Sequence, residues 1–248
     1  MSKLQLNNGN TEALLTDPEN SPNLPLSTII GESEIQFSNS IRNIGVIFDD
    51  KLPMKQQVNQ VCQSTYLELS RISSVRHVLT VQATKTLGTY LVLSRPDYYI
   101  SLFSGMPQQF IEKLQKAQNC SAWLIFKTPK RTHASSLLTK LHWLPIAQRI
   151  EYKVSSMCYD VVSETAQPYL SDLLHLYILS RSSGSSADIR SFRITKRKEK
   201  SQGQRNFPHP GPVTWNKFPH PVRYAATKSQ FKTQLKTTLF LSARGPNS

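Results

Sequence analysis

The chain has 248 residues, enough for one or two domains with a sizeable core, and a formal net charge of +14 that favours a polyanionic partner. Hydrophobic residues make up 38% of it and there are 15 prolines, so part of the chain is expected to be irregular. The three cysteines, Cys62, Cys120 and Cys158, are odd in number and far apart, which excludes a disulfide framework or a zinc knuckle, and no apolar run approaches the ~18 residues of a membrane span.

Residues 16–28 hold three prolines with Asn, Asp and Ser and read as a loop. Glu34-Ile35-Gln36-Phe37 alternates polar and apolar as a short strand does. Ile44-Gly45-Val46-Ile47-Phe48 is an apolar run ended by Asp49-Asp50 and reads as a buried strand, expected to pair with the first as a hairpin. From Pro53, Val58, Val61, Cys62, Leu69, Ile72 and Val75 recur at helical spacing. Thr80 has the chemistry of an N-cap for a second helix running toward Leu93, and Pro96 is expected to interrupt it. Gly105-Met106-Pro107 punctuates again, and a third helix carries Phe110, Ile111, Leu114, Ala117, Ala122, Leu124 and Ile125. Short helices are expected over Ala134–Leu141 and Ile146–Val162, separated by Leu144-Pro145.

After Pro168 the periodicity weakens. Ser180–Ser186 reads as a flexible link, Ile189–Ile194 as a short strand and Lys196–Lys200 as a charge cluster. Phe207–Pro221 holds five prolines around Trp215, and a last helix from Thr227 to Leu241 has Phe231, Leu235, Leu239 and Phe240 as its stripe. No helix here buries its apolar face alone, so the expected architecture is mainly α: a helical bundle over 53–165, preceded by a β-hairpin segment in 1–52 and followed by an irregular basic region, 166–248. Residues 1–175 carry 16 Lys/Arg against 14 Asp/Glu, whereas 176–248 carry 14 against 2. The basic excess is therefore C-terminal, to be read either as phosphate contact or as a solvated tail.

The order of several short stretches resembles the reverse transcriptases of LINE-type (non-LTR) retrotransposons, of the CR1/L2/jockey kind. Lys140-Leu141-His142-Trp143-Leu144-Pro145 with Arg149-Ile150 is similar to the segment after the polymerase core. Leu6-Asn7 and Thr11-Glu12 resemble LN-x-x-KTE, with Asn10 in place of its lysine. Ile41 to Asp49, with Gly45, resembles the RNLGVxxD hairpin at the palm edge. Arg95, Asp97-Tyr98, Ser101-Leu102 and Gly105-Met106-Pro107 resemble RLDYCNSLLYGLP, departing from it at Pro96, Tyr99 and Ile100. Leu114-Gln115 and Gln118-Asn119 resemble LQxVQNxAAR, with Trp123 at its arginine. Lys130-Arg131-x-His133 precedes the first segment as in that family. Trp215-Asn216, Pro219, Arg223, Phe231-Lys232, Leu235-Lys236 and Leu239-Phe240 are similar to its LWNSLPxxIR…FKxxLKxxLF tail.

The resemblance implies a truncated RNA-directed DNA polymerase, covering the last palm edge, the thumb-like helices and the region after them. The carboxylates that hold its pair of Mg²⁺ ions belong to an upstream palm strand and a YADD-type loop, so no cofactor, no catalytic residue and no polymerisation are expected of these residues; Mg²⁺ is expected only of the full-length family enzyme. Phe48-Asp49-Asp50 lacks the residue that the F/Y-x-D-D loop places before its aspartates and reads as a strand-ending turn. Asn10 stands where the family's lysine is held to protonate departing pyrophosphate, a role an amide cannot take. His133, His142 and Cys158 have no metal-ligand spacing.

Sequence-tolerant binding of RNA or an RNA–DNA hybrid is the expected activity, and a protein-interaction relic with no nucleic-acid activity is the alternative. Lys127, Lys130 and Arg131 beside Trp123 and Phe126 form the first candidate patch, mixing cations with flat rings. Arg190, Arg193, Lys196, Arg197, Lys198 and Lys200 form the second. Arg149 is a candidate phosphate contact. His142 and Trp143 either stack on a base or, with Leu144, plug the bundle and cap a helix. No membrane partner and no secretory signal after Met1 are read, so the expected location is the cytoplasm or nucleus.

Overall fold

The chain is mainly α-helical, and its strands gather in the N-terminal part. The computed structural model describes residues 11–15, 27–30, 33–49, 54–176, 190–194 and 209–244. Packing separates two units, Met1–Gln63 and Ser64–Ser248.

In the first unit, β3 (Ser33–Ser38) lies between β1 (Ala13–Leu14), to which it is parallel, and β2 (Ser27–Ile30), to which it is antiparallel. β4 (Ser40–Asn43) and β5 (Val46–Asp49) form a separate antiparallel hairpin that pairs Ile41 with Phe48 and Arg42 with Ile47. This corrects the pairing expected from the sequence. The strand at 34–37 pairs with β2 over Glu34 to Gln36 and with β1 at Phe37, and the segment before Asp49 pairs with the residues just upstream of its own turn. Ile44 is likewise not in a buried strand. It is 76% exposed and, with φ 47°, forms the turn together with Gly45 at φ 79°.

Two successive left-handed residues define the type I′ turn, whose twist matches that of a hairpin and whose preferred residues are Asn-Gly. A β-branched side chain is strained there. Ile44→Asn should therefore stabilise the hairpin by about 1 kcal/mol. Amide exchange at Ser40 to Asp49 would slow several-fold; unchanged exchange would show the turn to be unstrained. Beyond the hairpin, the Asp49 carboxylate accepts from the Met54 N–H at 3.3 Å and the Gln57 side chain accepts from the Ile47 N–H at 2.9 Å. Asp49 thus acts as a strand-ending residue that organises the entry to the next helix; Asp50 lies outside the described residues.

α1 (Lys55–Val75) runs through the division between the units. Val58, Val61, Leu69 and Ile72 are buried as the spacing predicts, but Val75 is 44% exposed at the helix end. In the second unit Leu69 and Ile72 pack with Val92, flanked by Leu79, Leu87, Cys120 and Leu124. Thr80 caps α2 (Val81–Leu87), its hydroxyl accepting from the Ala83 N–H at 3.1 Å.

The helix does not stop at Pro96. It widens into a π turn over Gly88–Leu93, in which the Ser94 N–H reaches the Thr89 carbonyl, and continues as α3 (Ser94–Tyr99) and a 3₁₀ turn, Ile100–Phe103. The wider ring resets the hydrogen-bond register immediately before a residue with no N–H, so the proline falls in the first turn of the re-registered helix, where it is tolerated. Gly88 permits this turn to approach its neighbours: a Cβ there would stand 3.2 Å from Ile125 Cδ1 and 3.6 Å from the Trp143 ring.

Gly105 (φ 74°) and Pro107, the N-cap, open α4 (Gln108–Phe126). α5 (Ala134–Leu141) and α6 (Ile146–Val162) have the bounds that the sequence predicts. Trp143 is buried with Leu93, Ala122, Ile125, Leu137, Leu138 and Leu141, which excludes it as a stacking platform and makes it the plug of this core. Leu144 is buried too.

A second aromatic core lies where α6 meets the C-terminal helices α8 (Pro210–Asn216), α9 (His220–Arg223) and α10 (Lys228–Arg244), beyond the short α7 (Pro168–Ser171). Tyr159 stacks on Phe231 at 4.3 Å, and Trp215 sits 5.8 Å from Phe231 and 6.0 Å, edge-on, from Phe192. Phe231, Leu235 and Leu239 are buried as the final stripe predicts. The strand expected at 189–194 reduces, in its described part, to one bridge between Phe192 and Leu176. Ser180–Ser186 and Lys196–Lys200 lie outside the described residues. Among the described residues no helix is long and apolar enough to cross a membrane.

Candidate nucleic-acid interface

Among the described residues of the second unit, three helices end on residues other than glycine in the left-handed conformation. At the end of α4, Lys127 (φ 52°) donates its N–H to Leu124 O, and the following Thr128 N–H reaches back to Trp123 O at 3.1 Å. His142 and Glu164 end α5 and α6 in the same way. This is the Schellman pattern, which satisfies carbonyls that a helix terminus otherwise leaves unmet. At α4 the residue in the left-handed position is Lys127, a cation suited to the negative end of the helix dipole.

The end of α4 forms one wall of a groove of about 510 Å³. Tyr66, Ser70 and Ser73 of α1 form the opposite wall, and Trp123, Lys127, Thr128 and Lys130 complete it, with no carboxylate among its lining residues. Glu68, on the same helix as Tyr66, is engaged by Arg71 at 3.1 Å. Tyr66 is 44% exposed. Trp123 is half-buried against the core and held in place by its indole N–H, which donates to Thr132 O at 2.9 Å. The Thr128 hydroxyl is buried and has no hydrogen-bond partner among the described residues.

Arg76 forms the floor. Only 6% of it is exposed, and its guanidinium donates to three backbone carbonyls: Leu124 at 3.0 Å, Leu79 at 2.7 Å and Ile125 at 2.6 Å. A cation from the end of α1 thus satisfies the last carbonyls of α4 and sets the position of Lys127 and Trp123. Neither Arg76 nor Tyr66 is recognisable from the sequence as part of a site, because the partners of Arg76 at Leu124 and Ile125 lie 48 and 49 residues away.

Of the first candidate patch, the structure brings Lys127, Lys130 and Trp123 into one groove; Arg131 is exposed beside it and Phe126 turns into the core. Arg149 stands elsewhere. Its guanidinium grips the Asp97 carboxylate through two hydrogen bonds, Nε to Oδ1 at 2.9 Å and Nη2 to Oδ2. Of the second patch, Lys196, Arg197, Lys198 and Lys200 lie outside the described residues. Arg190 lies over the Tyr224 ring at 5.0 Å and donates to Arg223 O at 3.2 Å, so it braces the fold, while the Arg193 side chain is exposed.

The remaining signature residues hold the framework together. The Gln118 amide, 2% exposed, donates to Leu144 O at 2.9 Å. Gln115 accepts from the Ile146 N–H at 2.8 Å, capping an α6 whose N-cap residue, Pro145, has no side-chain donor or acceptor, and it donates to Asn119 at 2.8 Å. Asn216 bonds the backbone of Phe192 in both directions, at 3.0 and 2.9 Å, and Pro219 is the N-cap of α9. Tyr98 is 62% exposed. Cys158 is buried, and desolvation raises its thiol well above the usual range, which suits a small core residue and not a nucleophile. Among the described residues no group of three or more His, Cys, Asp or Glu is placed to hold a metal ion.

Comparisons with protein-family models, with curated proteins and with solved structures found no match to this chain.

Proposed function

We propose that this chain corresponds to the thumb-like and post-thumb region of a LINE-type reverse transcriptase, and that it holds RNA or an RNA–DNA hybrid by its phosphates without joining nucleotides. The observation that carries this reading is the α1–α4 groove. Two flat side chains, Tyr66 and Trp123, and two lysines, Lys127 and Lys130, line one concave surface that has no carboxylate among its described lining residues to repel a phosphate. Lysines supply sequence-independent attraction, and aromatic faces accept any base, so such a surface positions a strand without reading it. The order of the motifs along the chain supports the family reading, and the groove supports the reading of the activity.

The test is fluorescence anisotropy of the full chain with a labelled RNA, the matching hybrid and a scrambled sequence, between 50 and 200 mM salt. Each phosphate contact adds roughly 0.7 to 0.9 to the slope of log affinity against log salt. Lys127→Ala with Lys130→Ala should reduce that slope by about 2 and weaken binding to all sequences alike. An unchanged slope would remove the groove from the binding surface. No measurable binding by the unaltered chain would favour the protein-interaction reading.

A further inference from the structure

A second concavity lies on another face of the same unit, and nothing in the proposed function uses it. It encloses about 300 Å³ between α3, α6 and α10. Arg149, Lys153 and Tyr152 from α6, His142 from the cap of α5 and Lys236 from α10 line it, with one carboxylate, Asp97. That carboxylate is already committed: Arg149 grips it through two hydrogen bonds, so its charge is matched and the guanidinium is fixed in orientation. Lys153 and Lys236 then leave the cavity with an excess of positive charge. The Lys236 ammonium lies 5.9 Å from the Phe240 ring, and it takes part in none of the ion pairs found among the described residues. The Tyr152 phenol is a neutral hydrogen-bond donor at neutral pH, and burial raises its pKa further. Ile100 and Leu144 give the cavity an apolar side.

We infer that this cavity is a binding site for a phosphate monoester, with Lys153 and Lys236 meeting the phosphate, Tyr152 donating to it, and an apolar or aromatic substituent lying against Ile100 and Leu144. A volume of about 300 Å³ is at the small end for ligand pockets, which suits one nucleotide-sized molecule and excludes a duplex. Monoester dianions carry more charge than the diester of a nucleic-acid backbone, and two lysines beside a fixed guanidinium favour them. Such a group has two sources, a free nucleotide or the 5′-phosphorylated end of a strand. The site does not depend on the groove, so either can fail without the other.

Isothermal titration of the full chain with adenosine 5′-monophosphate, adenosine and inorganic phosphate, and then with a short RNA carrying either a 5′-phosphate or a 5′-hydroxyl, tests the inference. The monophosphate, or the 5′-phosphorylated RNA over its 5′-hydroxyl form, should bind at least tenfold more tightly than its counterpart without the phosphate, and whichever does so identifies the source. Lys153→Met with Lys236→Met, both exposed positions, should weaken that binding at least tenfold while circular dichroism and melting temperature hold. Lys127→Ala with Lys130→Ala should leave the preference for the phosphorylated form unchanged, whatever it does to RNA binding as a whole. Equal binding of the phosphorylated and unphosphorylated forms, no binding of either, or full affinity in the Lys153/Lys236 variant overturns the proposal.

Discussion

Trp215→Ala should destabilise the second unit by about 4 kcal/mol, the largest effect of any single substitution in the C-terminal helices. Trp215 has no exposed surface, and its ring meets both Phe192 and Phe231. Phe231 in turn stacks on Tyr159, so one indole links α8, α10, α6 and the segment at 190–194. Its N–H donates to Arg190 O at 2.6 Å, and the next residue, Asn216, makes the paired bonds to Phe192. Truncation to alanine leaves a cavity among rings that belong to separate segments of the chain, which cannot close around it without moving one of them. Trp215→Phe keeps most of the ring area but orphans the Arg190 carbonyl, so about 1 to 2 kcal/mol is expected. Chemical denaturation followed by far-UV circular dichroism measures both. A loss under 1 kcal/mol for Trp215→Ala would mean that the C-terminal helices are not cooperative with α6.

This dependence on distant partners separates what the sequence made legible from what it did not. The bounds of α5 and α6 were readable because Leu144-Pro145 marks a stop that no tertiary contact overrides, and because each helix has a clean apolar spacing. The Thr80 cap and the α10 stripe were readable for the same reason: cap and periodicity act within one or two turns. The hairpin was misread because Ile44 has the composition of a strand residue and the conformation of a turn residue; only the pairing of Asn43 with Val46 reveals that two residues must reverse the chain. Pro96 was misread because the π turn that accommodates it depends on Gly88 packing against Ile125 and Trp143, residues of other segments. At the candidate site, Lys127, Lys130 and Trp123 were legible as a local cluster. Tyr66, the Arg76 floor and the Asp97–Arg149 pair were not, since each depends on residues tens of positions away.

Arg76→Met should cost about 3 kcal/mol, because three carbonyls lose a charged donor at once. Methionine fills the same channel, so the loss reports hydrogen bonding rather than an empty space. Arg76→Lys should recover only part of it: an ammonium carries one point of charge, whereas the planar guanidinium reaches Leu79 with one nitrogen and the end of α4 with the other two. The arginine is 6% exposed and occupied by the backbone, so it does not touch phosphate itself. Its effect on nucleic-acid binding should therefore take a particular form. In Arg76→Met, at temperatures where the chain remains folded, affinity falls as the α4 terminus frays and Lys127 loses its fixed place, yet the salt dependence keeps the slope of the unaltered chain. A slope reduced by one contact would instead make Arg76 a direct phosphate ligand, and the groove would then have to open by releasing α4 from α1.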